Sequence, residues 1–111
     1  MIEERVINYL NREMQVPAYM EEVPNMPEEY VLIDKTGGVV ERHINKSTIA
    51  IQSIAKTLYN AAALNEKVKK KMKDIIILDD ICRCELNSDY NFTDTSTKKY
   101  RYQAVYDIIH Y

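Results

Sequence analysis

The sequence predicts an α+β fold: an N-terminal helix, a mostly antiparallel β-sheet with two hairpins, and one long helix packed on that sheet. Three observations carry this expectation. Apolar residues recur at helical spacing near the N-terminus and again between residues 56 and 76. β-Branched runs flank the only two glycines of the chain, which stand side by side. Period-two alternation marks two long segments late in the chain, separated by a polar loop. The implied order is α-β-β-β-β-α-β-β, in a single domain over residues 1–111.

Each element has its own signal. Ile2, Val6, Tyr9, Leu10 and Met14 form one stripe, with Glu3 and Glu4 in the first turn, where the helix dipole favours acids. Pro17 ends that pattern, and a short extended piece over 18–23 leads to the turn Pro24-Asn25-Met26-Pro27. Residues 29–35 read as a strand, and Thr36-Gly37-Gly38 reads as a hairpin turn into a return strand over Val39–Ile44. Residues 47–54 fit either strand or helix. The strand reading rests on Ile49 and Ile51 alternating with Ala50 and Gln52. A helix then spans 56–76, with Leu58, Ala61, Ala62, Val68, Met72 and Ile75 on its buried side. From 82 to 92 the even positions Cys82, Cys84, Leu86, Ser88, Tyr90 and Phe92 form one face. After the polar loop 93–99, Tyr100, Tyr102, Ala104, Tyr106 and Ile108 line the face of a last strand. Val105 and Ile109 make its other face partly apolar too. Such a strand is central in its sheet, enclosed between helices, or covered by another subunit.

Composition narrows the function classes. The chain is 46% hydrophobic and 29% charged, with two Gly and three Pro, which is a globular balance. A net charge of -2 gives no overall pull towards nucleic acid or membrane. The start Met1-Ile2-Glu3-Glu4-Arg5 lacks the pattern of a signal peptide, and no apolar run is long enough to span a bilayer. Cys82 and Cys84 are the only cysteines, and their spacing on a strand does not suit a disulfide, so a reducing cytoplasm is expected.

No catalytic set can be assembled. Cys82 and Cys84 read as core residues, since no second Cys/His pair stands at zinc spacing. His43 and His110 have no nucleophile motif beside them. Asp79-Asp80 reads as a solvated turn, and Gly37-Gly38 lacks the Lys-Ser/Thr and helix of a phosphate loop. Lys67, Lys69, Lys70, Lys71 and Lys73 spread around a helix and read as a solvated face rather than a specific nucleic-acid site. The expectation is therefore no enzyme, no cofactor and no metal.

Collinear segments add a family resemblance. Tyr30-Val31-Leu32-Ile33-Asp34-Lys35-Thr36-Gly37-Gly38 is followed by Ser47-Thr48-Ile49-Ala50-Ile51-Gln52-Ser53 and by Ala55-Lys56-Thr57-Leu58-Tyr59. Leu86-Asn87-Ser88-Asp89-Tyr90-Asn91-Phe92-Thr93-Asp94 and Lys99-Tyr100-Arg101-Tyr102-Gln103-Ala104-Val105-Tyr106 complete the set. In this order they resemble the tail terminator and head–tail joining (neck, tail completion) proteins of long-tailed phages and prophages. The resemblance implies a ring, typically hexameric, built from subunits that can be monomeric when free. That ring would cap the major tail tube protein and meet the head connector and neck proteins, in the host cytoplasm during assembly and in the virion afterwards. It implies neither membrane association nor specific nucleic-acid binding. The 29–44 hairpin and the 88–99 loop are the expected contacts, through Tyr30, Lys35, Thr36, Gly37, Gly38, Arg42, Asp89, Tyr90, Asn91, Phe92, Asp94 and Arg101. Two other readings remain: a protein–protein adaptor unrelated to phage, and a nucleic-acid-binding accessory protein using the Lys67–Lys73 helix.

Overall fold

In the computed structural model, which describes residues Met1 to Tyr111, the first stripe folds as helix α1 (Ile2–Glu13). It buries Ile2, Val6, Tyr9 and Leu10. The expected extended piece after Pro17 shortens to β1 (Ala18–Tyr19), which pairs in parallel with the next strand. The Asn11 side chain holds this corner: it accepts from the Ala18 N–H at 2.8 Å and donates to the Ala18 carbonyl at 3.3 Å.

Strands β2 (Tyr30–Glu41) and β3 (Ile44–Ala55) form one long antiparallel hairpin. This corrects the expected turn at Gly37-Gly38. Both glycines lie inside β2, neither has a positive φ, and the turn falls at Arg42-His43, with φ of 50° and 68°. Positive φ at both central residues suits the two-residue turns whose twist matches a hairpin. The glycines answer a different need. The ladder slips by one residue between Lys35 and Gly37, and a Cβ on Gly38 would stand 2.9 Å from Lys35 Cε. The glycines mark a bulge, not a reversal, and the Lys35 side-chain end near Gly38 is flexible enough to move aside. The expected strand 29–35 and the first part of the expected return strand 39–44 are thus one strand, and the stretch that fitted either strand or helix lies in β3.

Helix α2 (Leu58–Lys73) starts where the Thr57 side chain accepts from the Asn60 N–H at 3.0 Å. A 3₁₀ turn (Ile75–Ile77) follows it. Ala61, Leu64, Asn65, Val68 and Met72 are its buried side. Leu58, expected among them, is exposed because the first turn stands just past the end of β3.

Strands β4 (Ile81–Asn91) and β5 (Tyr100–His110) make the second hairpin, and the sheet order is β1-β2-β3-β5-β4. β5 is interior, as one reading of its two apolar faces required. Its residues Tyr106 and Ile108 join Val31, Ile33, Ile49 and Ile51, with Val6 and Leu10 of α1 and Leu64, Val68 and Met72 of α2, in one core cluster. Both helices therefore cover the same sheet face, which corrects the alternative of a sheet enclosed between helices. The opposite face, carrying Gln52, Gln103, Val105, Asp107 and Ile109, has no helix on it.

The strict alternation expected along β4 is also corrected. Register slips between Ile81 and Arg83, and again between Leu86 and Ser88. The first slip leaves Cys82 unpaired and exposed, while Cys84 turns inward and is half-buried. The second swaps the faces: Leu86 pairs with Tyr106 on the helix side, whereas Ser88 pairs with Val105 on the open side. Asp89 is thereby carried to the helix side, and Tyr90 to the open face.

The turn makes a direct test. Non-glycine residues with left-handed φ are strained, so Arg42→Asn with His43→Gly should raise stability by about 1 kcal/mol. A higher urea midpoint at unchanged slope would show this. A lower midpoint would mean that the two side chains make stabilising contacts at the tip.

Candidate functional site

The residues expected to make contacts divide into two groups at opposite ends of the sheet. Lys35, Thr36, Gly37, Gly38 and Arg42 lie on the outer half of the first hairpin, where every residue from 34 to 44 is exposed. Val39 is 61% exposed and Val40 72%, so the arm carries apolar side chains in water. The free backbone edge of β2 runs along the arm, because β1 pairs only with Val31 and Leu32. At the far end stand Tyr90, Asn91, Phe92, Asp94 and Arg101. Tyr90 packs edge-on to Phe92 at 5.9 Å, and the Arg101 guanidinium lies 5.3 Å from the Phe92 ring centre. Arg101 also donates to the Phe92 carbonyl, which fixes the root of the loop between β4 and β5. Asp94 accepts from the Ser96 N–H and hydroxyl, so its carboxyl is held below the ordinary range and it shapes the loop from within.

Two expected contact residues have other duties. Tyr30 is 4% exposed, so it anchors the fold rather than offering a surface. Its ring meets Tyr19 edge-on at 6.4 Å and its hydroxyl donates to Glu22 Oε1 at 2.9 Å. Glu22 also accepts from Lys99 Nζ at 2.8 Å, so residues 20–29 form a strap across this end of the open face. Hydrogen bonds from Lys99 and Tyr30 hold the Glu22 carboxyl below its usual range. Asp89 faces α2, where it accepts from Asn65 Nδ2 at 2.6 Å and from Lys69 Nζ at 2.5 Å. That contact ties the edge strand to the helix and raises the pKa of Lys69.

The open face is a polar lattice. Thr48 donates to Asp107 at 3.2 Å and Asn87 donates to the same carboxylate at 2.8 Å. Gln52 donates to Gln103 at 3.1 Å, and Gln103 donates in turn to the Tyr90 hydroxyl. Half-buried Val105 and Ile109 lie among these groups. Polar atoms already satisfied by one another, with apolar side chains between them, suit a wet protein contact.

Sequence reasoning missed one side-chain pair. Ser47 Oγ and His110 Nε2 lie 2.8 Å apart, with Ser47 3% and His110 9% exposed. The two residues are far apart in sequence and meet because β3 and β5 are neighbours, so no local motif could announce them. With Nδ1–H donating to the Tyr111 carbonyl, Nε2 accepts from Ser47, and the buried hydroxyl pins the end of the sheet. No group of three or more His, Cys, Asp or Glu side chains is placed to share a metal ion. No helix is long and apolar enough to cross a membrane. No known protein family matches the chain, and no curated protein matches it significantly in sequence.

Burial first, and then the bond to Glu22, push the Tyr30 hydroxyl from 10.0 up to about 12. The folded state holds this proton more tightly, so the contribution is intact below pH 10.0 and is lost as pH rises to about 12. Tyr30→Phe removes that titration. Urea unfolding at stepped pH should show the variant losing stability less steeply than wild type across this window. Equal slopes would mean that Tyr30 is not held protonated by the strap.

Proposed function

We propose that this chain is a structural subunit of a phage or prophage tail. It is read as a tail terminator or head–tail joining protein whose copies close into a ring on the tail tube and face the head. The observation that carries this reading is the outer half of the first hairpin, where residues 34–44 are all exposed and Val39, Val40 and Ile44 stand in water near the tip. A hairpin tip gains nothing for its own chain by holding apolar side chains in water. It gains when a second protein surface covers them. The collinear resemblance to neck and tail-completion proteins names that second surface: a neighbouring copy and the end of the tail tube.

The mechanism is geometric. A subunit that presents one surface to its neighbour and a different one in return builds closed rings or open filaments, according to its rotation. The sheet and its two covering helices set the shape of each wedge. The arm at one end and the aromatic loop root at the other (Tyr90, Phe92 and Arg101) supply contacts along the subunit's 44 Å long axis. Assembly, not turnover, is the activity. Polar residues around the apolar tip keep the free subunit in solution until it docks.

Val39→Asp with Val40→Asp tests the arm. Both side chains are solvent-exposed, so folding stability should change by only about 0.5 kcal/mol. Electron microscopy should show the variant capping tail tubes about tenfold less often than wild type. The tubes are to be built from the tail-tube protein of the same phage or prophage, which the reading requires. Equal capping would overturn the role of the arm, and a gene neighbourhood without capsid, portal and tail-tube genes would overturn the phage reading itself.

A further inference from the structure

α2 lies over β3 and β5 and leaves the inner face of edge strand β4 uncovered. Between them runs a groove of about 420 Å³, floored by Met72, Cys84, Leu86 and Tyr106 and rimmed by Lys69, Lys70 and Lys73 with Glu66 beside Lys69. Leu86 points to the helix side of the sheet and is still 47% exposed. Lys69 is held by Asp89 and Glu66, whereas Lys70 and Lys73 have no ion-pair partner. The groove opens outward along the unpaired edge of β4. It offers an apolar floor under free positive charge.

The chain carries a segment of the complementary chemistry. The strap reads Met20-Glu21-Glu22-Val23-Pro24-Asn25-Met26-Pro27-Glu28-Glu29, with acids at both ends and no basic residue. Side chains near its two ends reach the body of the molecule: Glu22 is bound by Lys99 and Tyr30, and Glu28 pairs with Lys56. Glu21 and Glu29 have no ion pair of their own, and Met20 and Val23 are 46% and 47% exposed. The segment turns at Pro24-Asn25, where Asn25 takes a φ of 63°, so Met20-Glu21 and Glu28-Glu29 flank a compact bend. Acid and apolar side chains thus stand together on the strap, as lysine and apolar side chains do in the groove.

We infer that the strap of one copy docks in the lysine-rimmed groove of the next. The strap crosses the open face of the sheet and the groove lies on its helix face, so one molecule cannot fill its own groove. The contact is heterologous and propagates from copy to copy, as a ring requires. The inference rests on the assembly reading above and names the surfaces that the neighbouring copies use. Charge sets the pairing direction and the apolar groups supply adhesion.

The test uses the full-length chain in sedimentation velocity at submillimolar concentration. Wild type should associate at low salt and dissociate at about 0.5 M salt, where the charges are screened. Lys70→Glu with Lys73→Glu, and separately Glu21→Lys with Glu29→Lys, should each weaken association about tenfold or more while leaving the urea midpoint unchanged. Mixing the two reversed proteins should restore it, because each reversed groove then meets a reversed strap and each native groove a native strap. A wild type that stays monomeric, reversed chains that associate like wild type, or a mixture that stays dissociated would each overturn the inference. Reversed chains that still cap tail tubes would sink the strap contact alone. A charge swap that works in a protein with no affinity for tail tubes would sink the tail reading alone.

Discussion

The structure hangs on the pairing of β3 with β5. Each hairpin is local, closed by its own loop, and would be at best marginal alone. Only the ladder from Asn45–His110 to Ala55–Tyr100 joins them into one sheet. That ladder also creates the floor on which α2 packs, since Ile49 and Ile51 of β3 meet Ala104, Tyr106 and Ile108 of β5 beneath Leu64, Val68 and Met72. This contact is non-local and closes against more loop entropy than either hairpin needs. The Ser47–His110 bond sits near one end of the same ladder and locks its register.

A one-sided sheet follows from that arrangement. Both helices are needed on one face to bury the core of a chain this small, and none is left for the other. Antiparallel sheets tolerate a wet face because alternate residues can be polar, and here Gln52, Gln103, Thr48 and Asp107 satisfy one another across it. The strap covers one end of this face, held by the Tyr30–Glu22–Lys99 chain of hydrogen bonds. At the other end the outer half of the first hairpin is exposed, with the edge of β2 unpaired. The proposed assembly uses what this economy leaves over: an arm, an open face, a strap and a groove beside an edge strand.

Much of this was legible in the residues, and the misreadings have definite causes. Ile2, Val6, Tyr9 and Leu10 declared α1 because a helical stripe has only one way to bury itself. Tyr100 to Ile108 declared β5 by alternation alone. Gly37-Gly38 misled because adjacent glycines commonly make turns, while the strained φ values fell to Arg42 and His43, which carry no turn preference of that strength. Along β4, single-residue slips at Cys82 and Asn87 reversed the face of everything after them. Asp89 could not be assigned to α2 from sequence, because its partners Asn65 and Lys69 come from an element whose placement local pattern does not fix. Tyr30 looked like a contact residue for the same reason: the strap that buries it is polar, proline-containing and without periodicity.

The sequence by itself determined the class of fold, the two helices, the second hairpin and the inward face of the last strand. Each depends on spacing along a single segment, which hydrophobic burial reads directly. The tertiary structure alone decided which sheet face received the helices, where the registers slip, which aromatic residues are anchors and which are free, and that an acidic strap and a lysine-rimmed groove end on opposite faces. Those outcomes depend on contacts between residues far apart in the chain. Their energies arise only when β3 and β5 meet, and no local run of residues carries them.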